Sequence, residues 1–192
     1  SSDFYAAQLR AIPERWDDGM QDVISHAVLI FNQCREHLTI TPKDYHYVYC
    51  FCYLPNIISA FIIDRMDYMN ESKKGTFLPL AFGLLEKLLH YAEIIEGYNP
   101  IEGMTSASQG YHNRGFLYYK LKKWNEAILD YQKALVARRF IYEYMPHKEN
   151  KRVIGETLVN IGAAQLEWCK ENHTLEGHNP IDTAKEALSI YE

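Results

Sequence analysis

Cys34 and His37 stand three residues apart, and His46 and Cys50 stand four apart. On a helix, residues at those spacings share a face, so each pair could offer a sulfur and a nitrogen to a zinc ion. A second group, Cys169, His173 and His178 with Glu167 and Glu171, surrounds a polar stretch further on. Both groups read more simply as thiols beside ordinary histidines, since free cysteine is among the most buried residue types. The other signatures of catalysis are missing. There is no glycine-rich phosphate loop, no Gly-x-Ser-x-Gly elbow and no Arg-x4-His of the sort some helical ribonucleases carry. Asp17 and Asp18 suit the solvated first turn of a helix better than an acid–base pair. The expectation is a chain without metal, cofactor or catalytic residues, and so not an enzyme.

The bulk chemistry points the same way. A net charge of −5 gives no basic footprint for nucleic acid. The stretch nearest to a membrane span, Val48 to Ile63, is too short and contains Pro55, Asn56 and Ser59, so it reads as a buried helix and no membrane is expected. Cysteines in apolar surroundings suit a reducing, intracellular (cytoplasmic) compartment. The sequons at Asn70 and Asn172 read as chance. Two short basic clusters, Lys120–Lys123 and Ala137–Arg139, read as solvated helix faces, with an acidic partner as the sharper alternative.

Strand signals are scarce and helix signals recur. Met20, Val23, Ile24, Ala27, Ile30, Phe31 and Cys34 fall at helical spacing. Thr41, Pro42 and Asp44 restart a helix that should kink or break near Pro55. Asn70–Gly75 reads as a polar loop, and the next helix should run from Phe77 to a stop at Gly97, followed by a turn at Tyr98–Gly103. Helices are expected near 105–121, 124–145, 150–171 and 181–192, with Glu171–Pro180 as the clearest long loop. The total is about seven or eight helices with short connections, hence all-α: antiparallel helix pairs stacked as a right-handed α-solenoid. The proposed organisation is one continuous helical domain, with an N-terminal helical region over 1–104 and a repeat-bearing region over 105–192, divided into 105–145 and 150–192. The pattern stops in mid-helix at Glu192, as in an array cut short.

The positioning elements show best between Tyr111 and Leu135. Gly115 offers no side chain, with Tyr111 and Tyr118 flanking it on one helix face. After the turn at Lys120–Trp124, Ala127, Tyr131 and Ala134 repeat small, large, small. Small residues make a notch for a neighbouring ring, and a pair built so needs further pairs stacked on it.

This spacing resembles the tetratricopeptide repeat. Counted from Ser108, Tyr111 takes the large fourth position, Gly115 the glycine at eight and Tyr118 the aromatic at eleven. Trp124, Ala127, Tyr131 and Ala134 take positions seventeen, twenty, twenty-four and twenty-seven. Arg114 departs at seven, where leucine is usual, and Arg139 stands where proline often ends the second helix, so that helix should run on. A weaker match places Leu158, Ile161 and Gly162 at four, seven and eight, with Ala187 as the alanine and Tyr191 as the aromatic. The longer spacing is similar to the kinesin-light-chain type of array.

The resemblance implies a non-enzymatic module that binds a protein or peptide in a concave groove. Carried over by position, the groove residues are Gln109, His112, Asn113, Phe116, Tyr119 and Lys120 from the first repeat. The second supplies Glu156, Val159, Asn160, Ala163, Leu166 and Glu167. Two alternatives are a regulatory sensor, in which the helices close on a peptide or small ligand and control an output domain, and a helical part of an enzyme.

Overall fold

The structure, a computed structural model, describes residues 24–25, 28–29, 31–32 and 49–191. The described positions between 24 and 32 are helical, and Ile24 and Phe31 are buried there, in keeping with the apolar spacing. The restart near Pro42 and the Cys34, His37 and His46 side chains lie outside the described residues, as does the Cys50 side chain.

Six α-helices follow among the described residues, with no strand: α1 Leu54–Arg65, α2 Glu71–Glu96, α3 Pro100–Lys120, α4 Trp124–Tyr144, α5 Lys148–Asn172 and α6 Pro180–Tyr191. The chain is all-α, with slightly fewer described helices than the seven or eight expected. Contacts group it into two units, Ser1–Ser106 and Ala107–Glu192, and α3 contributes to both.

In the first unit a π-helical turn, Tyr49–Tyr53, runs into α1, whose first turn holds Pro55. Proline is tolerated there because the first-turn N–H groups have no helical partner. The expected polar loop at Asn70–Gly75 is instead the start of α2. Asn70 caps it by accepting a hydrogen bond from the Lys73 backbone N–H at 2.9 Å. A capping asparagine and a polar first turn look like loop in composition, and here the cap decides. Leu84, Leu85, Leu88, Ala92 and Ile95 of α2 are buried, as are Leu54, Ile58 and Ile62 of α1. Ser59, wholly buried, returns its hydroxyl to the Pro55 carbonyl at 2.7 Å. The turn expected at Tyr98–Gly103 is shorter than foreseen: Asn99 accepts from the Glu102 N–H, and α3 begins at Pro100. Gly103 sits where a Cβ would lie 2.4 Å from the Glu96 backbone, so no larger residue fits.

The second unit packs α4 against α5 and α5 against α6. The turn from α3 to α4 spans three residues. Lys122 there takes a left-handed conformation (φ 58°), while Lys122 N–H and Lys123 N–H reach back to the Tyr119 and Tyr118 carbonyls, both at 2.9 Å. This is a Schellman stop made without glycine. His173 ends α5 in the same left-handed region. The core gathers Ala127, Ile128, Tyr131 and Leu135 of α4 with Ile154, Leu158, Ile161 and Ala164 of α5 and Ala187 of α6.

Candidate functional site

Gly115 lies under the Tyr131 ring. A Cβ on Gly115 would meet Tyr131 Cδ1 at 2.9 Å and the Ala127 carbonyl oxygen at 3.3 Å. Tyr131 is 1% exposed and Ala127 is fully buried. The notch and the ring that fills it are therefore the expected ones. Arg114, which replaces leucine beside the notch, forms a two-pronged ion pair with Asp130 of α4. Its Nε donates to Oδ2 at 2.6 Å and its Nη2 to Oδ1 at 2.9 Å. Asp130 is buried, and the bond to it raises the Arg114 pKa. The pair joins the two helices where a hydrophobic contact is usual.

One turn earlier on α3, the His112 ring sits 5.5 Å from that of Tyr131, and its Nδ1 is buried without a hydrogen-bond partner. Burial, and then the charge of Arg138, push the imidazole down to about 4. Arg138 itself is buried near the far end of α4. Its Nη1 donates to the Val153 carbonyl at 3.1 Å and to the Thr157 hydroxyl, both on α5. No carboxylate pairs with it among the described residues. Arg139 beside it reaches Glu186 of α6 in an exposed ion pair, and α4 runs on to Tyr144 as the missing proline predicts.

The second helix pair repeats the ring-on-glycine device with a shifted partner. Gly162 and Tyr191 take the glycine and aromatic positions of the weaker match, but the Tyr191 ring covers Gly155, where a Cβ would meet the ring at 2.7 Å. Gly162 instead faces Thr183 and the Pro180 carbonyl at 3.7 and 3.8 Å from a Cβ. The two glycines are seven residues apart, nearly two helical turns, so the face is right and the level along the axis is not. Periodicity fixes a face, whereas level depends on the length of the intervening loop. Thr183 anchors the true level by donating to the Gln165 side-chain oxygen at 2.9 Å. Between α5 and α6 lies a cleft of about 470 Å³ lined by apolar side chains, among them Val159, Ala163, Leu166 and Leu188.

Residues 108–137, which hold the Gly115–Tyr131 notch, match the family model for the tetratricopeptide repeat. This stretch is a tetratricopeptide repeat. The match opens at Ser108, the first position of the repeat, and ends within α4. No curated protein and no solved structure matches the chain.

On the first helix of the repeat, Gln109 is exposed, and His112, Asn113, Phe116, Tyr119 and Lys120 are half-buried. Phe116 and Tyr119 also pack on the shared core, with Tyr119 edge-on to Trp124 at 5.2 Å. Lys120 holds its ammonium 5.4 Å from the Phe116 ring centre. On α5, Glu156, Asn160, Ala163 and Glu167 are half-buried, and Val159 is 52% exposed. Glu156 pairs with Arg152, and Glu167 with Lys170 at 2.6 Å. The Asn160 side chain makes no hydrogen bond among the described residues. Leu166 is exposed and turns with Val159 and Ala163 to the α5–α6 cleft.

Spacing alone did not single out Asp130 or Leu188, and the Ala137–Arg139 cluster, which reads as a solvated face in the sequence, instead buries Ala137 and Arg138, with Arg138 bonded to α5. The one available signal was Arg114: a charge at a core-facing position requires a partner on the facing helix. The cysteines of the described residues are buried free thiols, Cys52 and Cys169. Burial pushes the Cys52 thiol up to about 12, which makes it a packing group rather than a nucleophile. Around Cys169, Glu167 is committed to Lys170, the Glu171 carboxylate accepts from the Trp124 indole N–H, and His178 lies edge-on to Trp168 at 4.5 Å. Among the described residues no three His, Cys, Asp or Glu side chains are grouped to hold a metal, and no helix is long and apolar enough to cross a membrane.

Proposed function

We propose that this chain binds an extended peptide segment of a partner protein across the surface presented by α3 and α5, without catalysis, in a reducing compartment. The observation that carries the reading is the tetratricopeptide repeat at 108–137, a unit used for protein interaction. The chemistry of the surface supports it. Asn113 and Asn160 stand at the same repeat position, 47 residues apart, both half-buried. An amide can donate to and accept from a peptide backbone whatever its side chains. Phe116 and Tyr119 beside Asn113 are already held by core contacts, so they offer contact area with little entropy left to lose.

The test is the double variant Asn113→Ala with Asn160→Ala. Binding to the native partner, measured with purified components after capture, should weaken by roughly 1–3 kcal/mol, with the melting curve nearly unchanged. Undiminished binding by a folded double variant would remove this surface from consideration.

A further inference from the structure

We infer that His112 is a specificity-determining residue of the α3–α5 surface: its ring is held with the proton on Nε2 and offers a neutral N–H donor, which a bound segment must meet with a backbone carbonyl. This role rests on the α3–α5 reading of function. Its origin is an asymmetry between the two ring nitrogens. Nδ1 is buried and has no hydrogen-bond partner among the described residues. The residue as a whole is only half-buried, so the other end of the ring, Nε2, is the end that reaches the surface. A neutral imidazole carries one proton, and the place of that proton follows from what each nitrogen faces.

Two facts decide that place. An N–H sealed in a seam without an acceptor gives up its bond to water and gains none, and orphaned buried N–H groups are rarer than orphaned acceptors. The seam also holds Arg138, whose Nη1 is tied to the Val153 carbonyl and the Thr157 hydroxyl and whose charge acts on the imidazole. A proton on Nδ1 would point the positive end of an N–H into a region that already holds a cation. A lone pair there is favoured on both counts, so the proton sits on Nε2, and burial keeps the ring neutral. In the free chain Nε2–H bonds to water. A segment laid over α3 expels that water and must replace it, or the donor is left unpaired at a cost. The donor is neutral, so it offers a carboxylate no ion pair. What it reads is an acceptor in the right place, and an extended segment brings backbone carbonyls to one edge at every second residue.

The first test uses the unmodified full chain and no ligand. Long-range proton–nitrogen NMR correlation of the nitrogen-labelled chain at pH 7 should show His112 neutral with its proton on Nε2. A proton on Nδ1, or a charged ring, overturns the inference. The second test uses phage displaying random short segments, selected on the full chain and retained where Asn113→Ala with Asn160→Ala weakens their binding. Retained clones should bind His112→Phe about tenfold more weakly, and His112→Gln, which restores a donor, at close to the parent level. A melt confirms that both variants are folded. Retained clones that bind His112→Phe as tightly as the parent overturn the inference and leave the α3–α5 reading standing. Equal loss on both variants assigns His112 to packing and overturns it, as does an Asp or Glu required in every retained clone. A pool with no clone sensitive to the two asparagines fails the α3–α5 reading itself, and the role of His112 falls with it.

Discussion

Tyr131 lies on Gly115 and Tyr191 lies on Gly155, a ring over a notch in each of two successive helix pairs. Tyr131 is 1% exposed and Tyr191 is 56% exposed. The local device is the same, so the device is not what buries the ring. Burial comes from the next helix: α5 packs on α4 and closes the first pair, while the α5–α6 cleft stays open. The stability contributed by one pair is thus largely decided by its neighbour, as expected of stacked repeats.

The comparison breaks most visibly by removing the rings. Tyr131→Ala should cost about 3–5 kcal/mol, the usual range for deleting a buried aromatic. Tyr191→Ala should cost under about 1 kcal/mol, because half of its surface is already wet. Urea unfolding of the two variants measures both, and equal losses would show that the second pair is closed in solution.

Acid sharpens the contrast next. His112 and Val159 share a repeat position, but His112 is half-buried with its Nδ1 sealed off and an imidazole pKa near 4, while Val159 is 52% exposed. The folded chain keeps His112 neutral at pH values where the unfolded chain, with an ordinary histidine near 6.5, has protonated it. The unfolded state then binds more protons, so stability contributed by His112 is present above about 6.5 and is lost as pH falls toward 4. The loss is at most about 3 kcal/mol. His112→Phe should flatten the part of the stability–pH curve between those limits, as read from melts at pH 7 and pH 5. An unchanged slope would place the titration elsewhere.

The smallest effect separates the notches themselves. Alanine at Gly115 would press on a ring with nowhere to go, and overpacking of that kind costs about 1–3 kcal/mol. Alanine at Gly155 would press on the outer end of an exposed ring that can swing away. The better helix propensity of alanine, worth up to about 1 kcal/mol, should then leave Gly155→Ala neutral or slightly more stable. Matched thermal melts of the two variants decide the point.

These residues also show what the sequence can and cannot tell. Gly115, Ala127 and Tyr131 were legible because their spacing is short, fixed and confined to one hairpin, where register cannot slip far. The place of Tyr191 over Gly155 was not legible because the loop before α6 has no fixed length, and a shift of two turns leaves the face unchanged. The start of α2 was hidden by an asparagine cap that imitates a loop. Asp130 was invisible, and Arg138 was misread as solvated, for a different reason. Polar partners across a seam follow no period, so only the packed helices reveal them. The aromatic and amide residues of α3 and α5 were readable as a set by analogy alone, since nothing in their spacing says what they touch.

Arg138 carries one more consequence. Its guanidinium is buried, held to about 10 by burial and by the charge of Arg152, and its partners are a carbonyl and a hydroxyl that belong to α5. Until α5 arrives, α4 has nothing dry to offer that charge, so Arg138 stays hydrated and the end of α4 stays wet. Docking of α5 and desolvation of Arg138 are therefore a single event. The seam between the two helices behaves like a latch rather than a zipper: it is shut or open, with little stable ground between, and the two helices melt together rather than one after the other.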